Sequence, residues 1–249
     1  MARQKGLVKI EGTLDDITFF RRKDAYLVRN KGGVNKERIM NDPAFIRTRE
    51  NGVEFKTVAM SGKMLRESVN VFSRKAYDGT LSNRLVQLLS KVKNNDTTSL
   101  RGERQVYIGM TKDEAKQLMK GFDFNNRSSL GSVLFAPYTL DVASGEVEII
   151  DLVPLDMLKF PSHSTHVSFQ SGFLNLNLET GESQITYSPI VNLPLDMSVS
   201  TVTLTPSAPP TGTGFKFYLL LIEFFQEVNG VQYALNNGSY NVLNLLEVV

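Results

Sequence analysis

A chain of 249 residues, 41% of them apolar and 22% charged, has material for one large domain or two modest ones around a packed core, which excludes a disordered tail. It contains no cysteine, so a disulfide framework, a thiolate metal site and a cysteine nucleophile are all excluded. The formal net charge of +2 conceals a split: residues 1–127 carry 26 Lys+Arg against 15 Asp+Glu, and residues 128–249 carry only Lys159 and Lys216 against 11 acids.

A basic front and an acidic rear attract one another, within a chain or between copies, and a basic front alone attracts phosphate. The opening Met1-Ala2-Arg3-Gln4-Lys5-Gly6 leads into Leu7-Val8-Lys9-Ile10-Glu11 rather than an apolar run. No secretory signal is therefore expected, synthesis is expected in the cytoplasm, and release as an assembled particle stays open. The longest apolar run, 217–222, is far short of the ~20 residues a spanning helix needs, so it predicts a buried strand and no membrane span.

In chain order, Leu7 and Ile10, then Ile17, Phe19 and Phe20, then 25–28 form short apolar groups, punctuated by Gly12 and by Arg21-Arg22-Lys23-Asp24. This pattern predicts a hairpin pairing 13–20 with 25–30, which as an isolated ribbon is marginal and needs a covering surface. Next, Asn41 or Asp42 caps a helix with Pro43 in its first turn. Its face runs Phe45, Thr48, Gly52, Phe55, Ala59, Gly62, then Val69, Phe72 and Ala76. The small residues at Gly52, Ala59 and Gly62 read either as a site of close backbone approach or as a break near Asn51-Gly52, since each glycine costs a helix ~1 kcal/mol relative to alanine.

After Asp78-Gly79, Leu81, Leu85, Leu88, Leu89 and Val92 predict a second helix. A third is expected from Thr111, with Glu114 in capping-box spacing, to Gly121 as a left-handed cap. From about 132 the period becomes two, predicting strands over 133–135, 146–150, 166–178, 183–187, 199–205, 215–228, 231–235 and 240–248. Turns fall at Ala143-Ser144-Gly145, Thr180-Gly181, Asn229-Gly230 and Asn236-Asn237-Gly238, and Asn229-Gly230 is the strongest hairpin signal in the chain. Residues 205–214, rich in proline and glycine, are expected to form an exposed, mobile loop. Pro154-Leu155-Asp156-Met157 recurs as Pro194-Leu195-Asp196-Met197, either as two crossovers of a duplicated β unit or as reuse of a good turn tetrapeptide. The expected fold class is α+β: a basic N-terminal β-hairpin with helices over 1–127, and an acidic antiparallel β-sandwich over 128–249.

Signals for chemistry are sparse. His163 and His166 have no nearby metal-ligand partners and no nucleophile elbow, and Asp15-Asp16 fits a turn. Lys31-Gly32-Gly33-Val34 and Ser61-Gly62-Lys63 lack the spacing of a phosphate loop. No catalytic residue, cofactor or metal is expected, and the chain is not read as an enzyme. Glu223, set within the apolar run, needs a cationic partner or must shift its pKa; a salt bridge is the simpler reading, with the basic residues of the first half as candidates. Arg21, Arg22, Lys23, Arg29, Lys31, Lys36, Arg38, Arg47 and Arg49, interleaved with Phe19, Phe20 and Tyr26, have the composition of a phosphate-binding surface.

The segments 1–6, 31–34, Asp42-Pro43-Ala44-Phe45, Arg47-Thr48-Arg49-Glu50-Asn51-Gly52, Glu54-Phe55 and 222–230 together resemble a family of bacterial proteins of about 250 residues. That family carries no established activity, ligand or catalytic residue, so the resemblance implies no function. The charge split itself points to a structural protein that polymerises head to tail with itself, as a filament, tube or sheath, because contacts between unlike patches propagate. The expected interface comprises Ile17, Phe19, Phe20, Arg21, Arg22, Tyr26, Phe45, Arg47, Arg49, Phe55 and Glu223, with the hairpin adding strands to a neighbour. The alternative is a nucleic-acid-associated coat or packaging protein using the basic half.

Overall fold

The computed structural model describes residues 2–235 and 238–249. Its chain forms two compact units, Met1–Asn51 and Gly52–Val249. In the first, β1 (Ala2–Arg3), β2 (Gly12–Leu14), β3 (Ile17–Arg22) and β4 (Ala25–Asn30) form an antiparallel sheet in the order β1-β4-β3-β2. The hairpin expected between 13–20 and 25–30 forms instead from 17–22 and 25–30, as β3–β4 closed by Lys23-Asp24 with Lys23 at φ 53°, because a turn at Asp15-Asp16, with Asp15 at φ 48°, divides 13–20 between β2 and β3. Helix α1 (Lys36–Asn41) follows, capped by the Asn35 side chain, and then a 3-10 turn, Pro43–Phe45, capped by Asp42, which accepts the Ala44 N–H at 2.9 Å.

Helix α2 (Ile46–Ser68) runs on without a break at Asn51-Gly52. A Cβ on Gly62 would touch Leu89 Cδ1 at 3.5 Å, whereas one on Gly52 would meet nothing within 4 Å. Gly62 is buried at an ordinary contact distance from Leu89 and Gly52 faces open space, so neither the expected close backbone approach nor the expected break is found. Beyond it come α3 (Asn70–Lys75), α4 (Leu81–Lys93), α5 (Val106–Gly109) and α6 (Asp113–Met119). The expected capping box fails: Lys112 is the N-cap of α6 and makes no side-chain bond, and Thr111 donates back to the Ile108 carbonyl at 2.7 Å.

The rest of the second unit comprises β5 (Phe122–Asp123), α7 (Leu130–Val133), β6 (Thr139–Leu140), β7 (Val147–Leu152), α8 (Pro154–Met157), β8 (His166–Leu176), β9 (Ser183–Tyr187), β10 (Val191–Pro194), β11 (Ser200–Leu204), β12 (Phe215–Val228), β13 (Val231–Ala234) and β14 (Val242–Val248). Only the expected strand at 133–135 is missing, replaced by the end of α7 and a single bridge from Leu134 to Leu158. Asn229-Gly230 closes β12–β13 with both residues left-handed, φ 53° and 77°, as a tight primed turn demands. The expected turn at Asn236-Asn237-Gly238 lies, at 236 and 237, outside the described residues.

These elements make an α+β fold in which β12 is the central wall. It pairs with β8 on one side and β14 on the other, in the antiparallel order β10-β8-β12-β14-β5, with β9 added to β8 and β13 to β12. Alternation sends Phe217, Leu219 and Leu221 to one face, where they join Val58, Leu65, Phe72, Leu85, Leu89, Met110 and Met119 of the helices. Tyr218, Leu220, Ile222 and Phe224 point the other way, into a core shared with Val147, Ile149, Leu152, Val202 and Leu204 of a second sheet, β11-β7-β6. Each fully buried side chain contributes roughly 1.5–3 kcal/mol, so burying both faces explains the unbroken apolar run.

The division expected at 127/128 therefore falls inside a shared core, because the helices and the C-terminal strands bury their apolar faces against each other. Two ion pairs also bring the basic and acidic halves together within the chain, Lys75 to Glu223 at 2.8 Å and Lys120 to Glu247 at 2.5 Å. The 205–214 loop is tied down rather than loose. Asn175 accepts the Gly214 N–H at 3.0 Å and donates to the Gly212 carbonyl at 3.3 Å, and Gln184 accepts from the Thr211 N–H at 2.6 Å.

Candidate assembly interface

The register of the N-terminal sheet assigns its faces, since opposed residues in an antiparallel ladder share a side and neighbours along a strand alternate. Leu14 opposes Ile17, Phe19 opposes Val28, and Arg21 opposes Tyr26. One face is thus an apolar stripe ending in a cation–aromatic pair, Arg21 5.6 Å from the Tyr26 ring centre with Lys9 at 5.8 Å. On the other face Phe20 opposes Leu27, flanked by Arg29 opposite Thr18, Arg22 opposite Ala25, and Arg3 opposite Leu27. There the Arg29 guanidinium lies 5.2 Å from the Phe20 ring centre.

No described residue of 2–51 is buried. Leu7, Val8, Ile10, Leu14, Ile17, Val34, Met40 and Ile46 are all exposed. A folded unit normally buries its large aliphatic side chains, and contiguous exposed ones mark an interaction surface.

The expected interface residues separate into three groups. Ile17, Phe19, Phe20, Arg21, Arg22 and Tyr26 come together in the β3–β4 hairpin. Phe45, Arg47 and Arg49 lie at the entry to α2. Arg38 stands 5.7 Å from the Phe45 ring, and Arg49 donates to the carbonyls of Ile39 at 2.7 Å and Asp42 at 3.0 Å, so Arg49 braces the chain locally. Phe55 and Glu223 belong to the second unit. Phe55 is exposed on α2, but Glu223 is only 7% exposed and paired with Lys75, which removes it from any outer surface. Leu14 and Val28 belong to the apolar stripe and were missed, because their side emerges only from the strand register.

Elsewhere the polar groups serve the fold. The Glu54 carboxylate is buried between Lys93 and the Gly102 N–H. Burial works against the charge of Asp78, yet bonds from Thr80, Arg84 and the Asn126 N–H outweigh it and bring its pKa from an ordinary 3.8 to about 2. Burial likewise opposes the charge of Asp96, and bonds from Ser99, Gln105 and Thr98 pull its pKa well down. His166 Nε2 stands 3.6 Å from Glu227, and its Nδ1 is 3.0 Å from Thr165 Oγ1. That hydroxyl already accepts the Glu227 N–H at 2.7 Å, so the group ties two strand ends together. Among the described residues no His/Cys/Asp/Glu group has the arrangement of a metal site, and no helix is long and apolar enough to cross a membrane. A cleft of about 470 Å³ where α2, α3 and α4 meet is lined by Arg66, Asn70, Ser73, Arg74 and Tyr77, with Glu67 and Asp78 on the same walls.

No family model, curated protein or solved structure matches this chain. The chemistry of the two sheet faces therefore stands by itself.

Proposed function

We propose that this protein is a structural subunit that assembles with copies of itself, head to tail, through its N-terminal unit. The observation that carries the reading is the combination in residues 2–51 of a four-stranded sheet, exposed aliphatic side chains and no buried residue. Such a sheet gains most of its stability from a surface outside itself. Contact between unlike surfaces repeats from copy to copy and so yields a polymer rather than a closed pair. Sedimentation velocity and electron microscopy of the purified chain test it. Assembly is expected to grow with protein concentration and to weaken between ~50 mM and ~0.5 M salt as charges are screened. The substitution pair Ile17→Asp and Phe19→Asp is expected to abolish it. A monodisperse monomer at every concentration and salt would overturn the reading.

A second reading is favoured by the other face of the same sheet, where Arg3, Arg22 and Arg29 surround Phe20. Cations tracking a backbone beside an aromatic platform are what single-stranded nucleic acid requires. Retardation of a single-stranded oligonucleotide by the monomer, lost in Phe20→Ala with Arg29→Ala, supports it.

A further inference from the structure

We infer that the acceptor for the N-terminal unit of a second copy is an acidic, apolar patch at one end of the outer sheet, β11-β7-β6. The inference rests on the assembly reading above and specifies the surface that the reading leaves open.

The patch is built by two irregularities. In β7, Leu152 opposes Ser200 but Ile149 opposes Val202, so Ile150 and Asp151 together stand opposite the single residue Thr201. Asp151 takes φ 53° at this bulge. An extra residue breaks the in–out alternation, and Ile150 and Asp151 both face outward between buried Ile149 and Leu152.

The second irregularity joins the two Pro-Leu-Asp-Met tetrapeptides. They do not repeat a fold: the first is α8, and the second is the end of β10 and the turn after it. They meet nonetheless, because the Leu155 N–H donates to the Asp196 carbonyl at 3.1 Å. This contact sets Leu155 and Asp156 beside Asp196 and Met197, and Val199 directly precedes the Ser200–Leu152 pair.

Ile150, Leu155, Met197 and Val199 are between 44% and 65% exposed. Asp151, Asp156 and Asp196 are exposed among them. Across residues 128–249 the cations are Lys159 and Lys216 alone, so the segment that builds this surface holds almost nothing to neutralise it. The surface it complements is the N-terminal hairpin, whose apolar stripe of Leu14, Ile17, Phe19 and Val28 ends at Arg21 against Tyr26, with Lys9 over the same ring. Aliphatic groups meet aliphatic groups, Arg21 and Lys9 meet the carboxylates, and the opposite signs set the orientation. A second copy is thus the occupant that the charges select.

The test uses full-length variants in sedimentation velocity. Ile17→Asp with Phe19→Asp disables the donor, and Asp156→Lys with Met197→Lys disables the acceptor. Each alone is expected to be monomeric where the unaltered protein assembles. Mixed in equal amounts, they are expected to form one-to-one dimers and nothing longer, since each dimer keeps only disabled free ends. Met197→Ser with Val199→Ser, which leaves the charge unchanged, is expected to weaken assembly at least tenfold and guards against misfolding of the lysine variant. If the acceptor variants assemble like the unaltered chain, or the mixture yields no dimer, the patch is overturned while the assembly reading stands. If the unaltered chain never assembles, both fall.

Discussion

Lys75 Nζ, on α3, bonds Glu223 Oε2, on β12, at 2.8 Å and so joins the helical layer to the central strand. Glu223 sits at the point where β12 passes from pairing with β14 to pairing with β13. Next to it the Asn241 side chain donates to the Lys75 carbonyl at 2.8 Å and accepts the Phe224 N–H at 3.2 Å. Replacing Lys75 by Met leaves a buried carboxylate without its cation. Because the lysine is itself about one-third exposed, the expected loss is about 1–3 kcal/mol, below that of a fully buried pair. Chemical denaturation of K75M, with E223Q/K75M as the doubly substituted control, measures it.

The depressed carboxylates dictate the acid limit of stability. Asp78 has a folded pKa of about 2 against an ordinary 3.8, so its contribution is complete above the unfolded value and is lost as pH falls through the folded one. Asp96 acts in the same direction. Stability is expected to decline from about pH 5 downward, and Asp78→Asn is expected to remove roughly 2 kcal/mol at pH 7 and almost nothing near pH 2. Denaturant midpoints at several pH values for both chains check the convergence.

Two helical glycines are expected to respond oppositely to alanine. At Gly109 a Cβ would fall 2.3 Å from the Val92 carbonyl oxygen, a backbone atom of the neighbouring helix end, so Gly109→Ala should destabilise by about 1–3 kcal/mol. At Gly62 the nearest atom is the end of the Leu89 side chain at 3.5 Å, an ordinary contact, so Gly62→Ala should gain up to about 1 kcal/mol of helix propensity. Thermal melts of the two variants distinguish them by sign.

Asn175, buried on β8, holds the 205–214 loop through Gly212 and Gly214. Asn175→Ala is expected to speed amide hydrogen exchange throughout that loop while β12 stays protected. Exchange mass spectrometry resolves the two segments.

Much of this fold was legible in the chain. The alternation over 166–178 and the uninterrupted apolar stretch at 217–222 identify β8 and β12, and Asn229-Gly230 places a turn with left-handed requirements. A strand apolar on every residue must be covered twice, but its own residues do not say by what. That the helices of 52–127 supply one cover became visible only in three dimensions, as did the partner of Glu223. Thr111 and Glu114 had the right spacing for a cap, yet α6 begins one residue later, with Lys112 at its N-cap, and the Thr111 hydroxyl donates back to the Ile108 carbonyl. The loop at 205–214 looked free because Asn175, which secures it, lies 37 to 39 residues away from Gly212 and Gly214. Of the proposed interface, the hairpin and its charges were readable, whereas the sidedness of Leu14 and Val28 and the bulge at Asp151 depend on pairing.

The central position of β12 has a consequence for biosynthesis. Every helix from α2 to α6 leaves the ribosome before β8, β12 and β14, the strands that cover their apolar faces. During translation those helices have no wall to dock on and must wait with greasy surfaces uncovered, so nascent chains halted before β12 should be ready clients for chaperones and prone to precipitate.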